Sequence, residues 1–188
     1  MEKSQLLDKR KIAILATDGF EEIELTAPME ELRSYGATVH IVSEKEKIKS
    51  WKNRDWGSEF EADFTLKDVS VDDYNALILP GGTINPDRLR RNTKAIEFIR
   101  EFDRQEKLIA AICHGPQLLI EAGLLKGKSA TSFHSIKTDV INAGAAWEDT
   151  AVVRDGHMVT SQNPDTIPAF LKKIIDILKL ESMKDSDA

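Results

Sequence analysis

An α/β fold, with a mostly parallel sheet between helical layers, is predicted by three features of the sequence. Short, almost wholly apolar runs recur at 11–16 (KIAILA), 76–79 (ALIL) and 108–112 (LIAAI). Helical patterns alternate with them, as in strand–helix–strand units. The runs lack the apolar–polar alternation of a half-exposed strand, so they read as strands covered on both faces. In such folds the ligand crevice lies beyond the carboxyl ends of the strands. Residues 19–24, 80–87 and 113–114 all follow strand ends and are expected to converge.

The strand at 11–16 breaks at Thr17-Asp18-Gly19, which is turn chemistry. A helical pattern over 23–35 stops at Gly36, placed for a left-handed cap. A second strand follows at 38–42 (TVHIV). Residues 44–73 are the least regular part, with Trp51, Trp56 and Phe60 among charges, and predict a small hairpin and loops. The strand at 76–79 ends in Pro80-Gly81-Gly82. Residues 93–104 form an amphipathic helix with Ala95, Ile96, Ile99 and Phe102 on one face. The strand at 108–112 leads into a helical segment at 115–122 that stops at Gly123.

A strand at 129–132 and a short helix at 136–143 come next. The runs 151–154 and 158–160 flank Asp155-Gly156, a hairpin signal. The last helix carries Ile167, Phe170, Leu171, Ile174, Ile175 and Leu178 at helical spacing, with Asn163 placed to cap it and Pro164 at its first position. Residues 1–10 read as a flexible leader and 181–188 as a flexible tail, which leaves 11–180 as one domain.

Composition narrows the function. The 188 residues carry 26 Lys and Arg against 32 Asp and Glu, a net charge of −6, so no net positive field draws in nucleic acid. No apolar run approaches the ~20 residues that span a bilayer. The N-terminal residues lack the apolar stretch of a secretory signal. One cysteine permits neither an internal disulfide nor a multi-Cys zinc site, which points to a reducing, cytoplasmic setting. His40, His134 and His157 lie too far apart for a helical zinc pair, and no metal is expected.

The single thiol carries most of the information. Cys113 follows an apolar strand and precedes a helical segment, with glycine at 115, which is the layout of a nucleophile elbow. A thiol there, at a helix start, is expected to favour thiolate. The bland alternative is a small hydrophobe filling the core. His114 is adjacent, and neighbouring side chains on a turn diverge. Its backbone N–H, as an oxyanion donor, is therefore ranked above its imidazole. Gly81 and Gly82 allow close backbone approach and free N–H groups for an anionic oxygen. Glu21, Glu22 and Glu24 follow the first strand. One of them pointing into the crevice would hydrogen-bond the sulfur and hold its proton, but the residues alone do not say which.

Taken together, Ala110-Ala111-Ile112-Cys113-His114-Gly115-Pro116-Gln117, Leu79-Pro80-Gly81-Gly82 and Gly19-Phe20-Glu21-Glu22-Ile23-Glu24 resemble the ThiJ/PfpI family. This is the branch of the class I glutamine-amidotransferase-like superfamily that includes intracellular cysteine proteases and protein deglycases. Residues 141–144 and the Asp155-Gly156 hairpin are also similar to it. The resemblance implies a flavodoxin-like three-layer sandwich with Cys113 as the nucleophile at its elbow. It implies Glu24 as the buried glutamate that bonds the thiol, His114 as the histidine beside the nucleophile, and Gly82 and His114 as backbone oxyanion donors. In oligomeric protease-like members a neighbouring subunit's glutamate completes a Cys-His-acid triad. The matching place here is Asp87, one methylene shorter. Where some members carry a tyrosine near the nucleophile, this chain has Phe133, which argues against efficient peptide hydrolysis.

The resemblance further implies a cysteine-dependent hydrolase or lyase that acts on glyoxal- or methylglyoxal-derived carbonyl adducts in stress protection, without an organic cofactor. Its expected partners are small carbonyl substrates or glycated proteins, and a homo-oligomer, dimer or hexamer, is expected from relatives. Two other readings stay open. One is an intracellular cysteine peptidase using Cys113, His114 and Asp87 across a subunit boundary. The other is a non-enzymatic stress chaperone or redox sensor in which Cys113 is reversibly oxidised.

Overall fold

The computed structural model describes residues 6–186. Its strands are β1 (Lys11–Leu15), β2 (Phe20–Glu21), β3 (Thr38–Ser43), β4 (Lys47–Lys52), β5 (Asp55–Glu61), β6 (Phe64–Thr65), β7 (Ala76–Leu79), β8 (Leu108–Ile112), β9 (Ser129–Ala130), β10 (Ala146–Trp147), β11 (Val152–Asp155) and β12 (Met158–Ser161). Its helices are α1 (Glu22–Ser34), α2 (Ile84–Leu89), α3 (Thr93–Arg104), α4 (Pro116–Ala122), α5 (Lys137–Asn142) and α6 (Ile167–Ser186).

The apolar runs build a seven-stranded sheet in the order β11-β12-β8-β7-β1-β3-β6. Its pairings are parallel except at β11–β12, the antiparallel hairpin expected around Asp155-Gly156. Side chains alternate between the two faces, as the strand period of two dictates. Ile12, Ile14, Ala76, Ile78, Leu108, Ala110 and Ile112 join one core with Leu25, Leu32, Phe170 and Ile174 of α1 and α6. Ala13, Leu15, Leu77, Leu79, Ile109 and Ala111 join a second core with Ile99, Phe102, Leu118 and Leu119 of α3 and α4. The central strands β1, β7 and β8 are thus buried on both sides, which explains why their sequences show no polar alternation. The result is the flavodoxin-like three-layer sandwich.

Several local expectations need correction. Within the leader expected over 1–10, Leu7 is fully buried in the α1/α6 core, and its N–H donates to the Tyr35 carbonyl at 2.8 Å. One apolar residue in a polar stretch carries no periodicity, so its docking left no pattern to read. Arg10 is buried as well, and its Nε donates to Ser182 Oγ at 2.8 Å. That contact falls in the expected tail, where α6 continues to Ser186. The remaining leader residues 1–5 and tail residues 187–188 lie outside the described residues.

The strand expected at 129–132 stops at Ala130 and pairs with β10 in a separate two-stranded ladder. Thr131 N–H instead donates to Thr160 Oγ1 at 2.9 Å. Helix α2 had no sequence signal, because Asn85-Pro86 reads as a turn. The hairpin expected in 44–73 is β4–β5, closed by Asn53 and Arg54 with φ of 52° and 67°. Two successive positive φ values match the twist of the strands. Trp51 and Trp56 meet edge to face across it at 5.6 Å. Asn163 caps the approach to α6 as expected: its side chain accepts from Asp165 N–H at 3.0 Å, and Thr166 Oγ1 accepts from Asn163 N–H at 3.2 Å. Among the described residues no helix is long and apolar enough to cross a membrane.

Because Leu7 fills core volume, Leu7→Ala is expected to cost about 2–5 kcal/mol in urea unfolding. A loss under about 0.5 kcal/mol, typical of surface positions, would show that the segment does not contribute to the core.

Candidate active site around Cys113

The site begins where β8 ends. Cys113 has φ +62°, the left-handed region that costs a non-glycine residue about 1–3 kcal/mol. Three backbone bonds hold it there: Cys113 N–H to Ser161 O at 3.1 Å, Phe133 N–H to Cys113 O at 2.8 Å, and Gly115 N–H to Ile112 O at 2.8 Å. Gly115 is demanded by its neighbours, since a Cβ there would lie 2.4 Å from the Leu79 carbonyl oxygen. This is the strand-to-helix elbow that the sequence spacing predicts.

The three segments expected to converge do so. A Cβ on Gly81 would lie 2.7 Å from Cys113 Cβ and 2.8 Å from His114 N, and one on Gly82 would lie 2.3 Å from Gly19 O. Gly81 and Gly82 can therefore press onto both other segments only because they carry no side chains. Asn85 pins it in place. Fully buried, it donates from Nδ2 to Pro80 O at 3.0 Å and Gly81 O at 3.2 Å, and accepts from Thr17 N–H at 2.7 Å. Sequence reasoning missed Asn85, whose one signal was the Asn-Pro pair.

The three glutamates take three different roles. Glu24 is fully buried, and Oε2 accepts from Gly81 N–H at 2.7 Å. Burial pushes its carboxyl up to about 8, against the downward pull of the Gly81 N–H and the Cys113 thiol. Glu24 thus keeps its proton at neutral pH, as expected for the acid beside the sulfur. Glu22 does the opposite: Lys52 Nζ at 2.6 Å, Ser50 Oγ at 2.6 Å and Ser58 N–H at 3.2 Å hold it ionised, down to about 2. It latches the β4–β5 hairpin onto the start of α1. Glu21 is half-buried and raised by burial, then by its neighbour Glu22.

The sulfur differs from expectation. Cys113 is 6% exposed, and burial pushes its thiol up, with further upward pressure from Glu24. Backbone N–H groups of Gly82 and His114 bond the sulfur and pull the other way, but desolvation outweighs them. The resting group is a thiol.

His114 also departs from the expected divergence. Its Nδ1 lies 3.3 Å from Cys113 Sγ, and its Nε2 lies 3.0 Å from Ser135 Oγ. The Phe133 ring stacks on it at 4.9 Å between centroids, tilted by 25°. Burial lowers its pKa, so the imidazole is neutral at pH 7. Ser135 was missed because it is brought to His114 by a turn 21 residues further along the chain. Asp87 is exposed on α2, and among the described residues no hydrogen bond joins it to His114. Nor do the described residues hold a His/Cys/Asp/Glu cluster fit for a metal ion.

The arrangement offers a nucleophile, a neutral base, a protonated acid and two backbone donors within one cluster. Comparison with known proteins identifies the family and several relatives. Residues 10–177 match the model of the DJ-1/PfpI family. Deglycase PfpI of Pyrococcus furiosus is 40% identical over 169 residues, which cover 90% of this chain and 99% of that protein. Protein/nucleic acid deglycase 2 of Escherichia coli is 41% identical over 170 residues, covering 90% of this chain and 98% of that one. Among solved structures, Drosophila melanogaster DJ-1beta superposes with a TM-score of 0.82 at 28% identity, covering 94% of this chain and 96% of that chain.

Two outcomes follow from the site's geometry. Gly115→Ala drives a methyl group into the Leu79 carbonyl and is expected to cost about 1–3 kcal/mol, measured by thermal unfolding; an unchanged transition would refute the close approach. For Glu24 the folded state binds its proton more tightly than the unfolded state does, so that contribution is complete below the ordinary 4.5 and is lost as pH rises towards about 8. The melting temperature of Glu24→Gln relative to the parent is therefore expected to rise across that window. A constant difference would mean the carboxyl is not buried as described.

Proposed function

The chain belongs to the DJ-1/PfpI family, and from that premise we propose that it is a cysteine-dependent hydrolase of the deglycase and glyoxalase type. Its substrates are glyoxal- or methylglyoxal-derived carbonyl adducts, or the free aldehydes, and it works as a homo-oligomer in the cytoplasm. The observation that carries the reading is the strained Cys113 with a protonated carboxyl and two backbone donors around one sulfur.

Cys113 Sγ adds to the carbonyl carbon. Its proton passes to the neutral His114 Nδ1, and the C=O π electrons move onto oxygen. The N–H groups of Gly82 and His114 stabilise that oxygen, and Glu24 supplies it with a proton. A neutral base and a neutral acid at the same pH is the division of labour that opposite environments create. For methylglyoxal, the aldehyde carbon is oxidised to the acid while the adjacent ketone carbon is reduced to the alcohol. Adding one water balances the product hydroxy acid, so no external oxidant, reductant or organic cofactor enters. In this scheme Asp87 would act only from a neighbouring copy.

Release of hydroxy acid from methylglyoxal and from a methylglyoxal-treated peptide tests the reading. Turnover is expected to disappear in Cys113→Ala, to fall above about pH 8 as Glu24 loses its proton, and to drop by about 10²–10⁴ in Glu24→Gln. An active Cys113→Ala overturns the proposal. Cys113-dependent cleavage of casein with no release from the adducts would assign a peptidase instead.

A further inference from the structure

We infer that Ser135 is a positioning residue for His114, holding the imidazole with Nδ1 towards Cys113 Sγ in the place where a triad would put an acid. This deepens the proposed thiol chemistry and rests on it.

The ring is held on three sides, by Cys113 Sγ at Nδ1, by Ser135 Oγ at Nε2 and by the Phe133 face. A neutral imidazole has one N–H and one acceptor nitrogen. A hydroxyl can donate or accept, so Ser135 accommodates either tautomer. It therefore keeps Nδ1 directed at Cys113 Sγ whichever ring nitrogen carries the proton.

Ser135 is itself fixed to the elbow. Phe133 N–H donates to Cys113 O at 2.8 Å, and Ile136 N–H donates to Phe133 O at 3.1 Å. The turn that carries Ser135 is thus tied to the nucleophile it serves. An acid in this place would stabilise an imidazolium and with it a stored thiolate. Serine carries no charge, so it fixes the direction of the ring without supplying a counter-charge to an imidazolium. The groups that face the ring are Cys113, with Glu24 beyond it, Phe133 and Ser135. Burial alone accounts for the direction in which the histidine is shifted. Because Ser135 Oγ already occupies the hydrogen-bonding position at Nε2, a carboxylate from a neighbouring copy, Asp87 included, would have to displace it.

Alkylation of Cys113 by iodoacetamide across pH reads this pair without any substrate. Ser135 is exposed, so its replacement removes no core packing. Ser135→Ala is expected to lower the plateau alkylation rate about five- to tenfold, the effect of one hydrogen bond, and to leave the alkaline limb in place. It should also lower kcat on methylglyoxal with KM unchanged. Ser135→Thr keeps the hydroxyl and is expected to restore both rates to within about two- to threefold. Superimposable profiles for the parent and Ser135→Ala overturn the assignment. So does a profile that moves with Asp87→Asn but not with Ser135→Ala, which would give His114 to an acid of another copy. If alkylation responds as expected while no carbonyl adduct is turned over, the positioning role stands and the substrate reading fails.

Discussion

The site depends on one buried contact, the Glu24 carboxyl against Gly81 N–H and the Cys113 sulfur. An ionised carboxylate in that position would repel developing charge on sulfur and pay a heavy desolvation cost. A protonated one can do neither harm. Burial is therefore part of the proposed chemistry, because it keeps Glu24 neutral where the scheme has it donate. The same burial keeps Cys113 a thiol and His114 an uncharged imidazole. In the proposed reaction all three groups start neutral, and charge separates only as the carbonyl receives it.

That arrangement needs three chain segments within bonding distance, and glycine makes it possible. Gly81, Gly82 and Gly115 each stand where a Cβ would fall under 3 Å from backbone or from a reacting group. Asn85 then substitutes for the missing side-chain packing by bonding both sides of the crevice. The sheet contributes its two separate cores, which fix β1, β7 and β8 rigidly enough for the loops at their ends to tolerate a residue in a strained conformation.

Much of this was legible in the sequence. The apolar runs announced β1, β7 and β8, and the rule about strand ends brought Glu24, Gly82 and Cys113 together before any coordinates. What escaped notice was whatever depends on contacts distant in sequence. Leu7 looks like leader until α1 and α6 are in place around it. Glu22 and Glu24 are equivalent on paper, and only the hairpin's Lys52 and the elbow's sulfur separate them. The direction in which burial shifts the thiol is not legible in the residues alone, because a helix start is visible in sequence whereas the degree of solvent exclusion is not. Ser135 carried no motif, since its role comes entirely from where a turn delivers it.

The near-complete enclosure of Cys113 also bears on how the thiol meets disulfides. A sulfur 6% exposed, with the Gly81 backbone pressed against its Cβ, presents little surface to a reaction partner. Thiol–disulfide exchange proceeds by attack of a thiolate on a disulfide sulfur, so its rate depends on the fraction ionised and on access. Burial lowers both for Cys113, which slows the formation of mixed disulfides at this thiol.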